Sequence, residues 1–485
     1  MDKRKSDILS GVFWKFSERI LAQLISTVVA IVLARILSPD EYGTVSLVMV
    51  FISISNVIMT AGFNTSLIQK KDADNLDFST VFFFSIGFSL VLYAILYAIS
   101  PFVAKFYNIA ELKPVLRILA LAIPVMAVNS VQQAYVSRHM MFKRFFWSTL
   151  FGTMLSGVVG LVLAYRGFGV YALVAQNLTN TVVDTTVLWF TVKWRPSWVF
   201  SFDRLKGLFS YGWKLLVQNI VVNIYSSLRS LIIGKAYTTA DLAYYTKGSQ
   251  YPNLIATNVD TALNSALFPA VAKEQNDVSR VRSMTRRTTK LSSFIMAPIL
   301  IGFMAVADSF LGFLLTDKWL PAAPYLRIIC MVLIFLPAQT AMLQAIKAVG
   351  RSDVVLKIDI PVRVFATVVL FLSVQFGVIY VAMSEVAVTI FGTAMYMLAA
   401  KKVVDYTPTQ VLSDFLPNVC TAAVMGVATW LLGKAVPFSW GPCLIIQVAF
   451  GACCYVALSA ITKNESFFYI INVLKSWLAS RKGKV

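Results

Sequence analysis

The chain is poor in charged residues and almost without histidine. Charged residues make up 14% of its 485 residues, hydrophobic residues make up 58%, and His139 is the single histidine. Because a soluble domain carries about a quarter charged residues, this composition excludes an ordinary soluble protein and indicates a polytopic membrane protein. One histidine also argues against histidine-based catalysis, proton relay or metal ligation.

Cysteines are few, and sequence motifs for catalysis are missing. The five cysteines lie within apolar stretches, so we interpret them as small apolar side chains and not as disulfides or metal ligands. The sequence contains no phosphate-binding glycine loop, no metal cluster and no nucleophile–base spacing. We therefore expect no enzymatic activity, no cofactor and no bound metal.

Negatively charged residues are scarce as well. The chain has 23 Asp and Glu and 43 Lys and Arg, which gives a net charge of +20. Most of the cations lie between apolar stretches, and segments 193–206 and 273–290 are the most basic loops. Every second loop between the apolar stretches carries the excess of Lys and Arg, as the cytoplasmic loops of membrane proteins do. The pattern predicts cytoplasmic N- and C-termini and accounts for the positive charge without a nucleic-acid partner.

Apolar runs of about 20 residues, long enough to cross a bilayer, fill most of the chain. They predict an all-α polytopic membrane protein with about 14 transmembrane helices. The candidate spans are 12–37, 42–68, 78–104, 114–136, 146–165, 169–192, 207–234, 240–270, 291–315, 322–346, 356–377, 379–400, 411–433 and 440–462. Residues 464–485 follow as an amphipathic helix for an anionic membrane surface, with an apolar side formed by Phe467, Phe468, Ile471, Leu474 and Leu478.

An internal repeat is visible in the sequence. The fourth span opens with PVLRI at 114–118 and the tenth with PYLRI at 324–328. Six spans separate the copies, so both would have the same orientation and be related by an axis along the membrane normal. We predict two pseudo-symmetric six-helix lobes around a central cavity, with two extra C-terminal helices. The corresponding boundaries are 1–195 for the N-lobe, 196–403 for the C-lobe, 404–463 for the extra helices and 464–485 for the cytoplasmic tail.

Polar residues recur within the spans that lead each lobe. Residues at i and i+4 share a helix face, and ionisable groups at membrane depth are functional candidates because they cost several kcal/mol unless solvated or paired. Cations suit an anionic cargo, while amides and tyrosines suit sugars. The candidate substrate-binding residues are Lys15, Arg19 and Gln23 in span one, Lys214, Gln218, Asn219, Asn223 and Arg229 in span seven, and Lys247, Asn253 and Asp260 in span eight.

Other charged residues admit a structural interpretation. Glu18 could pair with Lys15 or Arg19, and we interpret Arg35, Arg117 and Arg327, near the ends of spans, as structural. Four carboxylates are candidates for ion coupling, and nothing in the sequence ranks them: Asp184, Asp308, Glu385 and Asp414.

Three segments resemble a known family. ARILSPDEYG at 34–43, GRSD at 350–353, and Arg138 followed by FKR at 142–144 are similar to segments of the Wzx-like polysaccharide transporters of the MOP exporter superfamily. The resemblance implies a flippase that works by alternating access. Its implied cargo is an undecaprenyl-pyrophosphate-linked oligosaccharide, passed from the cytoplasmic to the outer leaflet for O-antigen, exopolysaccharide or capsule assembly. It also implies that cations on the leading helices meet the pyrophosphate.

The expected location is the bacterial cytoplasmic membrane, and the expected partners are this lipid-linked oligosaccharide and membrane lipid. A coupling ion, H+ or Na+, and a polysaccharide polymerase are further candidate partners. Three alternatives stay open: a lipid II flippase, a multidrug antiporter of the same superfamily, whose cationic cargo a basic cavity would repel, and a membrane scaffold that transports nothing.

Overall fold

The computed structural model describes residues 3–60, 63–436 and 439–482, without the side chains of 3–13, 15–19, 211, 266, 268–269, 473–474 and 477–482. The chain divides into two compact units, Met1–Ala243 and Tyr244–Val485. The helices up to this division are α1 (Lys3–Ile36), α2 (Pro39–Thr60), α3 (Phe63–Gln69), α4 (Asn75–Tyr107), α5 (Leu112–Leu119), α6 (Ala122–Arg138), α7 (Phe142–Tyr165), α8 (Val170–Thr191) and α9 (Phe202–Ala236).

Helix α10 (Thr239–Lys273) contains the division and continues into the second unit. The later elements are α11 (Val278–Ala305), α12 (Ala307–Leu315), a 3-10 helix (Asp317–Ala322), α13 (Ala323–Leu333), α14 (Leu336–Ala348), α15 (Ser352–Ser373), α16 (Val378–Val404), α17 (Pro408–Ala435), α18 (Trp440–Ile461) and α19 (Glu465–Lys482). The described residues contain no strand. The predicted all-α class is therefore confirmed, and the four-part division into lobes, extra helices and tail stays a prediction.

Ten stretches of the described residues are long and apolar enough to cross a membrane. They are α2–α3, α4, α5–α6, α7, Gly212–Ala236 of α9, α11, Asp317–Ala348, α16, α17 and α18. The other predicted spans fall on α1, α8, α10 and α15, which are long helices interrupted by polar residues. We call these four the polar helices.

Two spans are broken in the same way, which supports the internal repeat. PVLRI lies in α5 and PYLRI in α13, and two residues separate each of these helices from a second helix, α6 or α14. In both copies the second helix is followed, two residues after its end, by a residue with positive φ, Met140 at 55° and Gly350 at 79°. The equal spacing in the two copies shows that the repeated sequence carries a repeated backbone.

The sharp corners after α1 and α9 also match. The Ser38 amide donates to Glu41 Oε2 at 2.6 Å, and the Glu41 amide donates back to Ser38 Oγ at 3.4 Å. At the second corner, the Thr238 amide donates to Asp241 Oδ2 at 3.2 Å and the Asp241 amide to Thr238 Oγ1 at 3.1 Å. Such reciprocal capping satisfies amides that a helix start leaves unpaired, and so permits an abrupt reversal.

The two corners touch each other within the first unit. Thr239 Oγ1 donates to Asp40 Oδ1 at 2.5 Å. Gly43 lies against the Thr239 backbone so closely that a Cβ atom at position 43 would be 1.9 Å from the Thr239 carbonyl oxygen. Only glycine fits this approach of α2 to the second corner.

We expect Gly43→Ala to destabilise the protein. The atoms that a new Cβ would strike belong to the Thr239 backbone, so α2 would have to separate from the second corner. Overpacking of this kind costs about 1–3 kcal/mol. Thermal unfolding of the purified protein in detergent measures the effect.

Gly87→Ala, in the middle of α4, is the matched control because a Cβ there meets nothing within 4 Å. Alanine is favoured over glycine inside a helix by about 1 kcal/mol, so this variant should be as stable as the wild type or more stable. Equal melting temperatures for the two variants would show that the approach of Gly43 to the Thr239 backbone does not contribute to stability.

The basic segment 273–290 differs from its prediction. Residues 278–290 are not a loop but the first turns of α11, started by Asp277, whose side chain accepts from the Arg280 amide at 3.0 Å.

The predicted apolar face of the C-terminal tail is only partly described. In α19, Phe467 packs on Phe294 of α11 with ring centroids 6.4 Å apart, whereas Phe468 is 44% exposed. The side chains of Leu474 and Leu478 lie outside the described residues, so the amphipathic tail stays a prediction.

Candidate functional site

The first part of the candidate site is a polar stripe on α9. Ser201 caps this helix by accepting from the Arg204 amide at 3.4 Å, and the apolar stretch Gly212–Ala236 follows. Three of the predicted residues, Lys214, Gln218 and Asn219, are exposed in the first unit. Only 6% of the most apolar part of this stretch is buried, which is the lowest buried share among the ten candidate spans. The stripe is therefore available to a ligand.

Lys214 lies within the predicted span 207–234, seven residues after Gly207 or about 10 Å along the helix. An exposed cation inside a span needs water or an anionic partner, so its ammonium group suits a hydrated cavity or an anion. Arg229 lies toward the other end of the helix, seven residues before Ala236 or about 10 Å from it, and is half-buried.

Asn223 has a partner on a neighbouring helix. Its Nδ2 donates to Ser53 Oγ of α2 at 3.0 Å, and the Ser53 hydroxyl lies 3.4 Å from Asn223 Oδ1. The residue is half-buried, so it joins α9 to α2 and contributes less free surface than Gln218 or Asn219.

The predicted residues of α1 are only partly described. The side chains of Lys15 and Arg19 lie outside the described residues, so their proposed roles stay predictions. Gln23 is exposed, and its Nε2 donates to Thr27 Oγ1 at 3.3 Å on the same helix.

In the second unit, Lys247 lies in an aromatic pocket rather than on an open face. Its side chain is 6% exposed, and its Nζ is 5.9 Å from the ring centroid of the fully buried Trp319. Nearby, the Tyr245 hydroxyl donates to Glu385 Oε1 at 2.5 Å. Gly248 packs against the Ala322 carbonyl oxygen, where a Cβ atom would be 2.7 Å away. Burial on this scale means that a ligand reaches Lys247 only after the aromatic pocket opens.

Asp260 belongs to a ladder of side chains between α10 and α14. Its Oδ1 accepts from the Thr340 hydroxyl at 2.5 Å, and its Oδ2 accepts from Asn264 Nδ2 at 2.8 Å. Gln344 Nε2 completes the ladder by donating to Asn264 Oδ1 at 2.6 Å. Asn253, also on α10, is exposed and donates to the Ser249 carbonyl at 2.8 Å. Of these predicted residues, Asn253 is the one with free surface.

The structure separates the four carboxylates that the sequence left unranked. Asp308 pairs with Arg327, with 2.5 Å between Oδ2 and the guanidinium, and Asp414 binds Arg286 through both oxygens at 2.7 and 2.9 Å. Glu385 accepts from Tyr245, and Asp184 accepts from Asn129 Nδ2 at 2.6 Å. Asp308 and Asp414 therefore have fixed counter-ions, whereas Asn129, which donates to Asp184, and Tyr245, which donates to Glu385, are neutral.

Sequence reasoning missed a charged cluster at the start of α4. Lys70 Nζ lies 2.6 Å from Oδ2 of the fully buried Asp77, and Arg204 approaches the same carboxylate at 3.6 Å. The Asp77 amide, followed by the Arg204 guanidinium, holds the pKa of Asp74 below its usual value. Arg138, part of the family-like segment, donates to the carbonyls of residues 67, 68, 70 and 71 and so anchors the loop that carries Lys70.

Comparisons with known proteins agree with this architecture. The chain is 24% identical over 463 residues to the teichuronic acid biosynthesis protein TuaB of Bacillus subtilis (strain 168), covering 93% of this chain and 95% of that protein. It is 21% identical to the lipopolysaccharide biosynthesis protein WzxC of Escherichia coli (strain K12), covering 88% and 87%.

Two solved structures share the fold. The lipid II flippase MurJ in an inward closed conformation superposes with a TM-score of 0.74 at 14% identity, covering 94% of this chain and 98% of that chain. An inward-facing multidrug resistance MATE transporter of the MOP superfamily gives 0.59 at 15% identity, covering 80% and 98%. The family model described as polysaccharide biosynthesis protein matches residues 32–324, more than half of the chain. The chain is thus a multi-pass membrane protein that belongs to the polysaccharide biosynthesis protein family.

Proposed function

We propose that this protein is a flippase that moves a polyprenyl-pyrophosphate-linked oligosaccharide from the cytoplasmic to the outer leaflet of the bacterial cytoplasmic membrane by alternating access. The observation that carries the proposal is Lys214, an exposed cation on α9 within the predicted span 207–234. The oxygens of a pyrophosphate are strong acceptors for charged donors.

The rest of the stripe suits the sugar part of the cargo. Gln218 and Asn219 follow Lys214 toward the interior of the apolar stretch and are exposed. An amide side chain offers both a donor and an acceptor, as does a sugar hydroxyl. The order along α9, a cation first and amides after it, matches a head group in which the pyrophosphate precedes the sugars.

A groove in the second unit suits the prenyl tail. Its volume is about 440 Å³, and it lies among α10, α11, α17 and α18. Gly302 and Gly451 are among its lining residues, and its walls are mainly apolar, with Ile299, Phe303 and Val456 among them. Because the bilayer already keeps an isoprene chain away from water, the groove would hold the chain through van der Waals packing.

The fold alone does not select the cargo, because one fold supports several transport functions. The exposed cation Lys214 disfavours the cationic substrates of a multidrug antiporter. A lipid II flippase shares the pyrophosphate and the prenyl chain, so its cargo differs from the proposed one in the group that the pyrophosphate carries, a muropeptide in place of an oligosaccharide. The relatives in teichuronic acid and lipopolysaccharide biosynthesis favour an oligosaccharide repeat unit.

The proposal includes cytoplasmic N- and C-termini, following the basic loops. It also includes a coupling ion, H+ or Na+, because a polar head group must be driven across an apolar barrier, and cooperation with a polysaccharide polymerase that consumes the cargo outside.

Reconstitution tests the proposal. Liposomes containing the full chain are loaded in the membrane with an NBD-labelled undecaprenyl-pyrophosphate-linked sugar, and an impermeant reductant bleaches the label exposed outside. We expect the protein to expose label that protein-free liposomes protect. NBD-labelled phosphatidylcholine, which lacks pyrophosphate, should stay protected.

No movement of the pyrophosphate probe would overturn the proposal, as a scaffold would behave in this way. Equal movement of both probes would indicate an unspecific scramblase. Movement of a lipid II probe in preference to oligosaccharide-bearing probes would reassign the cargo to a muropeptide lipid.

A further inference from the structure

Helix α8 carries a carboxylate whose partner is incompletely satisfied. Asp184 is half-buried, and its Oδ2 accepts from Asn129 Nδ2 of α6 at 2.6 Å. Asn129 is 7% exposed, and its Oδ1 has no hydrogen-bond donor among the described residues. A buried amide oxygen without a donor is unfavourable, so the pair lacks one hydrogen bond.

We propose that Asp184 binds the proton that drives transport, with Asn129 as its positioning partner. An amide side chain can present either its nitrogen or its oxygen to the same neighbour. When Asp184 is ionised, Asn129 donates to it, as observed. When Asp184 is protonated, its O–H donates to Asn129 Oδ1 after the amide turns, so the carbonyl gains the donor that it lacks. This inference rests on the proposed function, since it names the ion that powers it.

Three other carboxylates on the long helices, Asp308, Asp414 and Asp260, are less suited to this role. Asp308 and Asp414 hold arginine counter-ions, which favour the ionised form at all times. Asp260 has a donor on each oxygen, and Gln344 satisfies the carbonyl of its neighbour Asn264. That ladder is complete with an ionised carboxylate and offers no free acceptor for an added proton.

No fixed charge neutralises Asp184 among the described residues, since no nitrogen of Lys, Arg or His lies within 4 Å of its carboxylate. The helices packed on α8 are α2, α5, α6 and α7. Their ionisable residues lie toward helix ends, and they are Asp40, Glu41 and Tyr42 of α2, Lys113 and Arg117 of α5, Tyr135 and Arg138 of α6, and Lys143, Arg144 and Tyr165 of α7. Arg117 donates to Ser100 and Arg138 to the loop before α4, so both are engaged elsewhere.

A groove lies close to the pair on α6 and α8. Val128 and Thr185, the sequence neighbours of Asn129 and Asp184, line a groove of about 340 Å³ among α4, α6 and α8. A metal cation would need a shell of several oxygen ligands. Asp184 and Asn129 are the two groups seen here in contact, so the site fits a proton better than Na+.

The experiment measures probe movement in the proteoliposomes described above, with the membrane potential clamped and Na+ absent. In wild-type protein, an imposed pH gradient should accelerate movement of the NBD-labelled undecaprenyl-pyrophosphate-linked sugar. Asp184→Asn, which keeps the size and one acceptor, should abolish the acceleration, and Asp184→Glu should restore it. Asp359→Asn is the matched control, because Asp359 is a half-buried carboxylate on polar helix α15 that accepts from the Tyr396 hydroxyl at 3.4 Å. It should respond to the gradient as the wild type does.

A second measurement needs no cargo and therefore separates the two proposals. Infrared difference spectra of the purified protein between acidic and alkaline pH should show a protonated carboxyl band that is absent in Asp184→Asn. Its persistence in that variant would overturn the inference, as would acceleration by a Na+ gradient alone or an unaltered pH response of Asp184→Asn. If the band behaves as expected and no probe moves, the proton site stands and the proposed function fails.

Discussion

Lys214→Glu should suppress surface polysaccharide in cells that depend on this protein, with normal amounts of protein in the membrane. One charge-assisted contact contributes about 1.5–3 kcal/mol, so its loss should lower transport by about tenfold to a hundredfold. Reversal of the charge adds repulsion of the pyrophosphate to that loss. Because the side chain is exposed, the substitution leaves the packing of α9 intact. The first measurement is the amount of surface polymer relative to the amount of this protein in the membrane. The second is the rate of probe movement relative to that in liposomes with the wild-type protein.

Lys206→Glu provides the matched control. Lys206 is exposed on the same helix, eight residues earlier or about 12 Å along the axis, and outside the apolar stretch. Its reversal should leave export unchanged, and Lys214→Arg should retain most of it because an arginine also binds phosphate oxygens. Full export by a chain carrying both Lys214→Glu and Arg19→Glu would refute the assignment of the stripe.

Asp414→Ala should cause a large loss of stability. The Asp414 side chain is 1% exposed, and it binds Arg286 of α11 through both oxygens. It also accepts from the Tyr406 hydroxyl at 3.1 Å and lies 3.6 Å from Lys290. Removal of one partner from a buried ion pair costs about 3–5 kcal/mol. Since the Arg286 side chain is 36% exposed and water can reach it, we expect the lower end of that range.

The measurement is thermal unfolding in detergent, compared with Asp353→Ala. Asp353 forms an ion pair with Arg351 at 2.9 Å, but both side chains are about half exposed, so its loss should not change the melting temperature measurably. A shift of similar size in both variants would show that Asp414 does not act as a buried link. Arg286→Met combined with Asp414→Leu should recover part of the stability, because well-packed apolar residues can replace a buried ion pair.

Local patterns predicted the helices well, because a helix that crosses a membrane must be apolar over a minimum length wherever it lies in the chain. The same reasoning placed Lys214, Gln218 and Asn219 on one exposed stretch, since i and i+4 positions share a face by geometry. The broken spans show the limit of length alone. The interruptions after α5 and α13 occur inside continuous apolar runs, and hydropathy does not register them.

Partners distant in sequence could not be predicted from such patterns. Asp414 is 128 residues from Arg286, and Asn223 is 170 residues from Ser53. No local periodicity encodes which helices become neighbours, so the sequence listed Asp184 and Asp414 as equals. In the folded chain, Asp414 contacts an arginine and Asp184 contacts an amide. For the same reason, the burial of Lys247 beneath Trp319 was not foreseen from a polar stripe on α10.

The contact between the two corners has an evolutionary consequence. The reciprocal caps at Ser38–Glu41 and Thr238–Asp241 have the form expected of two descendants of one duplicated segment. Position 43 in the first copy abuts the Thr239 backbone and admits no side chain, whereas its counterpart, Ala243, already carries one. The two turns share their capping pattern, and packing restricts the volume of one residue in only one of them. A chimera with the second turn copied into the first should fail to assemble, and the reverse exchange should be tolerated.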